Sequence, residues 1–272
     1  MMVLIFMMRG GMTYCCVLIN GKNNEMNKKF IDIELNRVSF LDDRFYAIDV
    51  DGEIIYYPSV TSVLNLYPKG IAFDQWQRDV GNSASLIAER AAVSGKKVHD
   101  GVERLISGEE ITWDDNVYNL IEWQGILKYK EFNERFSPSV IAVETVVCSH
   151  EHRYAGQTDI ICEIDGERWL LDTKFTNAIH ETNFFQLAAY RMGWEEAHPD
   201  LPIHKMGILW LKAQTRTDGK PGTMQGKGWQ VVLPKESHER LFEMFKKTLD
   251  IYYYETPNPA PKNVILPFKV KL

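Results

Sequence analysis

Residues 143–190 read VETVVCSHEHRYAGQTDIICEIDGERWLLDTKFTNAIHETNFFQLAAY, and the centre of this stretch decides the fold. Between Asp159 and Lys174 two runs of apolar and β-branched residues flank Asp165-Gly166, the dipeptide that best supports a two-residue hairpin turn. With those two residues as the loop, Ile164 pairs with Glu167. The same register sets Glu163 against Arg168, Cys162 against Trp169, Ile161 against Leu170, Ile160 against Leu171 and Asp159 against Asp172. Directly opposed Cβ atoms lie about 4.5–5.5 Å apart, and like charges held there are unfavourable unless a cation intervenes. A divalent metal is the simplest such cation.

Lys174 follows Asp172 by two, so strand alternation turns it to the same side and Thr173 to the other. Glu144 sits in an earlier alternating run, IAVETVV, and brings a third carboxylate within reach. Hard oxygen donors without a Cys/His cage suit Mg²⁺ or Mn²⁺, which complete their shells with water and phosphate oxygens. Asn183, Gln186 and Tyr190 follow i, i+3, i+7 spacing and share one face of a predicted helix. An amide and a phenol there can hydrogen-bond a nucleic-acid backbone without adding charge. Each residue also has a plainer reading: Asp172 and Lys174 as a surface ion pair worth about 0–1 kcal/mol, Asp159 as a turn residue, Gln186 and Tyr190 as helix surface.

Taken in order, Glu144, Gly156-Gln157-Thr158-Asp159, Asp172-Thr173-Lys174 and Gln186 with Tyr190 resemble the motif series of the PD-(D/E)XK nuclease superfamily, in particular its RecB-type exonuclease branch. SGKKVHDGVE, which holds His99, is similar to that branch's upstream histidine segment, and PSVTSVL at 58–64 to a segment near the start of its phage members. Thr158 stands where the superfamily name has proline. The resemblance spans roughly residues 57–190.

It implies an α/β fold with a restriction-endonuclease-like core, a central mixed sheet flanked by helices. It further implies Mg²⁺ or Mn²⁺ on Asp159 and Asp172, with His99 and the Thr173 carbonyl as further ligands. Lys174 orients or deprotonates the attacking water, and Glu144 holds a metal-bound water or a second ion. The expected activity is exonucleolytic hydrolysis of DNA from a free end, in phage or mobile-element DNA processing, recombination or repair. A non-catalytic nucleic-acid-binding module of the same fold and an endonuclease of the same superfamily are the alternatives. Some RecB-type relatives carry an iron-sulfur cluster on one upstream and three C-terminal cysteines; no cysteine follows Cys162, so no cluster is expected.

The 272 residues carry a net charge of −6, which argues against coating nucleic acid by bulk electrostatics. DNA contacts must therefore be local. Between 205 and 228, Lys205, Lys212, Arg216, Lys220 and Lys227 face the single acidic residue Asp218; Lys212 and Arg216 are the candidate phosphate contacts, against the equal reading of a solvated basic loop. Four cysteines without zinc-ligand spacing suit reduced thiols and a cytoplasmic setting. His150 and His152 read as a polar loop, and His99 alone would read as an ordinary helix histidine.

The opening apolar pieces, split by Arg9-Gly10-Gly11, fall short of the roughly 18 residues that span a bilayer. Residues 1–25 are expected to be a peripheral extension, and 26–272 one nuclease domain. Strands are expected from Phe30, with a hairpin at Asp51-Gly52, then a helix-like run from Ser59. A helix from Phe73 should break at Ser94-Gly95, before the His99 helix. A long helix should start at Thr112, with Asp115 completing an approximate capping box, and stop before Pro138. Two strands joined by the basic loop, an amphipathic helix over 237–253 and an extended Pro-rich end follow.

Overall fold

The computed structural model describes residues 31–32, 37–40, 43–50 and 53–261. The expectations for residues 1–25 and for most of the Pro-rich end lie outside these. Strands β1 (Ile31–Asp32), β2 (Arg37–Phe40), β3 (Asp43–Val50) and β4 (Glu53–Pro58) form an antiparallel sheet in that order. The Val50–Glu53 pairing fits the hairpin expected at Asp51-Gly52. Ser59 then caps helix α1 (Val60–Leu64) by accepting the Ser62 N–H.

The centre of the molecule is a six-stranded mixed sheet made of β5 (Ser139–Ser149), β6 (Tyr154–Ile164), β7 (Glu167–Lys174), β8 (Lys205–Trp210), β9 (Gln225–Gly226) and β10 (Trp229–Val232). Its spatial order is β5-β6-β7-β8-β10-β9. Only the β7–β8 pair is parallel, because helix α5 (Glu181–Ala197) carries the chain back between them, as parallel neighbours require. The β6–β7 hairpin has the register expected from Asp165-Gly166, from Ile164–Glu167 through Ile160–Leu171. Both loop residues have positive φ, 52° and 76°, as a type I′ turn demands.

Alternation along these strands divides the apolar residues between two faces. Ile161, Leu170 and Ile208 meet α5 and helix α6 (His238–Glu255) through Leu187, Tyr190, Leu241 and Phe245. Ile160, Cys162, Leu171 and Leu209 meet Val98 and Val102 of helix α3 (Ala84–Ile106) and Ile126, Tyr129 and Phe132 of helix α4 (Leu120–Phe136). At about 1.5–3 kcal/mol for each large side chain buried, these two layers outweigh any polar contact and fix the sheet between its helices. The fold is α/β, with a mixed central sheet flanked by helices.

Two helix boundaries differ from expectation. The break falls at Gly81, not Gly95: helix α2 (Ile71–Val80) ends there at φ 58°, a short 3-10 turn follows, and α3 runs unbroken through Gly95. A glycine inside a helix costs only about 0.5–1 kcal/mol, less than the packing of Val98 and Val102 returns. Helix α4 begins at Leu120 rather than after Thr112, because Asn119 and Glu122 form a complete reciprocal capping box, which Asp115, a carboxylate one atom shorter than Glu, does not supply for Thr112. Ser137 in left-handed conformation and Pro138 close it.

Candidate metal centre

The site forms where β5, β6 and β7 meet α3. The recorded β6–β7 pairing stops at Ile160–Leu171, one step short of the two aspartates. Beyond it the Asp159 carboxylate replaces the ladder: Oδ2 accepts the Thr173 N–H at 2.7 Å. On the other side β5 carries a bulge between Val140 and Ala142. In the register that follows, Glu144 falls opposite Asp159, with Val143–Ile160 and Thr145–Thr158 on either side. Glu144 itself has φ 46°, a left-handed conformation that costs a non-glycine residue on the order of 1–3 kcal/mol. The strain falls at one residue of a strand, at the point where three carboxylates converge, and makes Glu144 a candidate functional position.

His99, Glu144 and Asp159 each place a ligand atom within 4.8 Å of the others, near enough for one ion to touch all three. His99 is fixed by the Thr173 carbonyl, which lies 2.7 Å from Nε2. A carbonyl only accepts, so Nε2 carries the proton. Nδ1 then faces Asp159 Oδ2 at 3.5 Å. In the neutral ring these are two acceptors turned toward each other, an arrangement that a cation satisfies. The Thr173 carbonyl is thus the partner of His99 in this structure, and its second lone pair is left for a further donor or ion.

Asp172 lies beneath this group, 1% exposed. Lys174 Nζ stands 2.7 Å from its Oδ2, an ion pair without an aligned hydrogen bond, since neither Asp172 oxygen has a hydrogen-bond partner. Burial pushes the Asp172 carboxyl up from its ordinary range; Lys174 works against this, and Asp159 reinforces it. For Lys174, burial works to lower the ammonium pKa, but Asp172, Asp159 and Glu144 together outweigh it and raise the pKa. Lys174 is thus a cation at neutral pH. Glu144 is pushed up to about 8, first by burial and then by Asp159, Glu103, Asp100 and Asp172. A crowd of carboxylates with one ammonium repels itself and favours a divalent ion.

The donors fit Mg²⁺ or Mn²⁺: carboxylate oxygens, one imidazole and the buried, unbonded oxygens of Asp172. The group brought together differs from the expected ligand set, and the Thr173 carbonyl is already bonded to His99. Glu144 joins His99 and Asp159 directly, while Asp172 is engaged with Lys174. Asp100 and Glu103 add negative potential that the sequence reading did not use; the signal was present, since Glu103 is one helical turn beyond His99.

The expected substrate contacts fall in three different settings. Asn183 accepts the His180 N–H and caps α5. Gln186 and Tyr190 are buried, 9% and 4% exposed, and the amide of Gln186 donates to the Tyr190 hydroxyl at 2.7 Å. Tyr190 lies directly against Gly156, where an added Cβ would come within 2.3 Å of its Cε1. This pair packs against β6 and is largely withdrawn from solvent. Lys212 sits over the Phe175 ring at 5.3 Å, and Arg216 is exposed on the loop. Lys205, at the far end of β8, pairs with Glu167. His150 lies in the turn between β5 and β6, in contact with Tyr57 and Cys148. A shallow cleft of about 730 Å³ bounded by Arg104, Trp113 and Tyr118 lies on the α3–α4 connection, and its lining has none of the residues of the carboxylate site.

No protein-family model matches the chain, and no curated protein matches it. Among the described residues no helix is long and apolar enough to cross a membrane.

Proposed function

We propose that this protein is a metal-dependent DNA exonuclease of the PD-(D/E)XK type, RecB-like branch. The observation that carries the reading is the convergence of His99, Glu144 and Asp159 on one point beside the Asp172–Lys174 pair. A chance surface cluster would not need a bulged strand, a strained glutamate and a histidine locked by a backbone carbonyl.

His99, Glu144 and Asp159 would hold a divalent ion, which would supply Lewis acidity and lower the pKa of a neighbouring water. The chain's own groups do the rest. Lys174, paired with Asp172, donates to the attacking water or to a non-bridging phosphate oxygen and offsets charge that develops there. Asp172 holds Lys174 in place. His99, bonded to the Thr173 carbonyl, keeps one tautomer and one orientation. Water forms a bond to phosphorus and gives up a proton to solvent as the bond to the departing sugar oxygen breaks, and that oxygen takes up a proton from solvent, so the step leaves a phosphate monoester and a free hydroxyl.

The test is digestion of end-labelled linear DNA and of closed circular DNA with Mg²⁺, Mn²⁺ or chelator. Metal-dependent loss of label from linear DNA alone is expected. Cleavage of circles would replace the exonuclease reading with an endonuclease; binding without cleavage would leave a binding module. Asp159→Asn and Asp172→Asn should each abolish cleavage in a folded protein. Lys174→Ala should lower turnover by at least ~10² with metal affinity little changed; full activity in any of the three would sink the assignment.

A further inference from the structure

Several lysines of this acidic protein have a carboxylate beside them. Lys96 pairs with Asp100, Lys130 with Glu134, Lys205 with Glu167 and Lys247 with Glu243. Lys128 and Lys212 do not, and they occur together. Neither is within ion-pair distance of a carboxylate among the described residues. Both are half-buried. Lys128 leaves α4 and lies against Gly228, where an added Cβ would meet its Cε at 2.9 Å and its Nζ at 3.1 Å. Lys212 follows β8 and rests over Phe175. Phe175 in turn touches α4 at Gly125, one turn before Lys128: a Cβ there would be 2.7 Å from its Cε2.

We infer that Lys128 and Lys212, framed by Phe175 and Gly228, form a phosphate subsite that holds the DNA strand as it leaves the metal centre. The inference rests on the nuclease reading for the identity of the strand. Two ammonium groups from separate elements, half withdrawn from water and without a counter-charge, repel each other; burial and the nearby Lys212 both lower the Lys128 ammonium pKa. An anion with two or more free oxygens relieves both costs, and lysines bind phosphate as such point charges.

The location fits a strand path. The Leu211 N–H donates to the Lys174 carbonyl at 2.9 Å, so Lys212 stands one residue from a direct backbone bond to the lysine of the candidate site. Arg135, at the end of α4, donates to the carbonyls of Asp218 and Gln225 at 2.7 and 2.6 Å. These bonds hold the 211–228 loop against α4 and keep Gly228 beside Lys128. The expected basic segment thereby narrows to Lys212 together with a residue outside it, Lys128.

The experiment measures binding of a single-stranded oligonucleotide in chelator across a salt series, for wild type, Lys212→Gln, Lys128→Gln/Lys212→Gln and Lys205→Gln. The slope of log affinity against log salt should fall by about 0.7 for the single variant and about 1.4 for the double. It should stay unchanged for Lys205→Gln, whose charge is paired and distant. Wild-type slopes in the first two variants overturn the subsite even if the enzyme cleaves DNA normally. If wild type neither binds nor cleaves DNA, the nuclease reading fails, and the subsite is judged separately by NMR of ¹⁵N-lysine-labelled protein with pyrophosphate. Perturbed Lys128 and Lys212 ammonium signals uphold the anion site; unmoved signals overturn it.

Discussion

His99 gives its Nε2–H to the carbonyl of Thr173 at 2.7 Å, and this bond decides which nitrogen is left for Asp159. Replacing His99 with Phe removes both the donor and the free Nδ1. The expected result is a fall of at least ~10-fold in Mn²⁺ affinity, on the scale seen when an orienting partner or a ligand is lost. Stability should fall by only about 1 kcal/mol for the orphaned carbonyl. Titration calorimetry with Mn²⁺, alongside urea unfolding in chelator, separates the two effects. Unchanged affinity would exclude His99 from the site.

Glu144 gives metal-free stability a definite pH slope. Its carboxyl is raised from 4.5 to about 8 in the folded protein, so the folded state keeps a proton that the unfolded chain has released. Stability is then fully present below about pH 4.5, declines as pH rises toward 8, and levels off above it. Asp172, also raised, acts in the same direction. Glu144→Gln should flatten much of the slope in urea titrations between pH 5 and 8.5 with chelator present. A slope identical to wild type would show that Glu144 is ionised in the folded state.

Gly156→Ala forces a methyl group into the Tyr190 ring. That ring is tied to Gln186 and fully enclosed, so the substitution should cost about 1–3 kcal/mol. In a Tyr190→Ala background the same substitution should cost much less, and the double-mutant cycle should show coupling above ~1 kcal/mol. Additive costs would mean that the ring yields freely.

Tyr190→Phe leaves the buried amide of Gln186 without its acceptor. The expected loss is about 1–3 kcal/mol of stability, seen as a lower urea midpoint at constant m-value. DNA affinity measured at a denaturant-free reference should stay within twofold, because both side chains are largely buried and bonded to each other. A large loss of affinity with unchanged stability would instead give the pair a direct role on the strand.

The hairpin was legible because Asp-Gly with alternating flanks specifies both turn type and register, and Ile160, Ile161, Leu170 and Leu171 then sort themselves onto two faces. Asp159, Asp172 and Lys174 followed from that register. Other features depended on geometry that no local pattern encodes. The bulge at Val140–Ala142 sets Glu144 against Asp159, and nothing in VIAVETVV announces it. Spacing placed Gln186 and Tyr190 on one face of α5 but could not say whether that face met water or the sheet; Gly156, two strands away in sequence, decides it. The start of α4 went to the stronger of two competing caps. Lys128 drew no attention because its partner, Lys212, is distant in the chain and no carboxylate marks it.

The bond between His99 and Thr173 joins positions 74 residues apart, and Glu144 enters from a third segment. No contiguous peptide contains the donor set. The β6–β7 hairpin holds Asp159 and Asp172 within a short loop closure, whose entropy cost grows only slowly with length, but His99 arrives only when α3 docks. Tight metal affinity is therefore a reporter of completed folding: it should appear after secondary structure in a refolding time course, and a fragment beginning after residue 110 should retain the hairpin yet bind Mn²⁺ weakly.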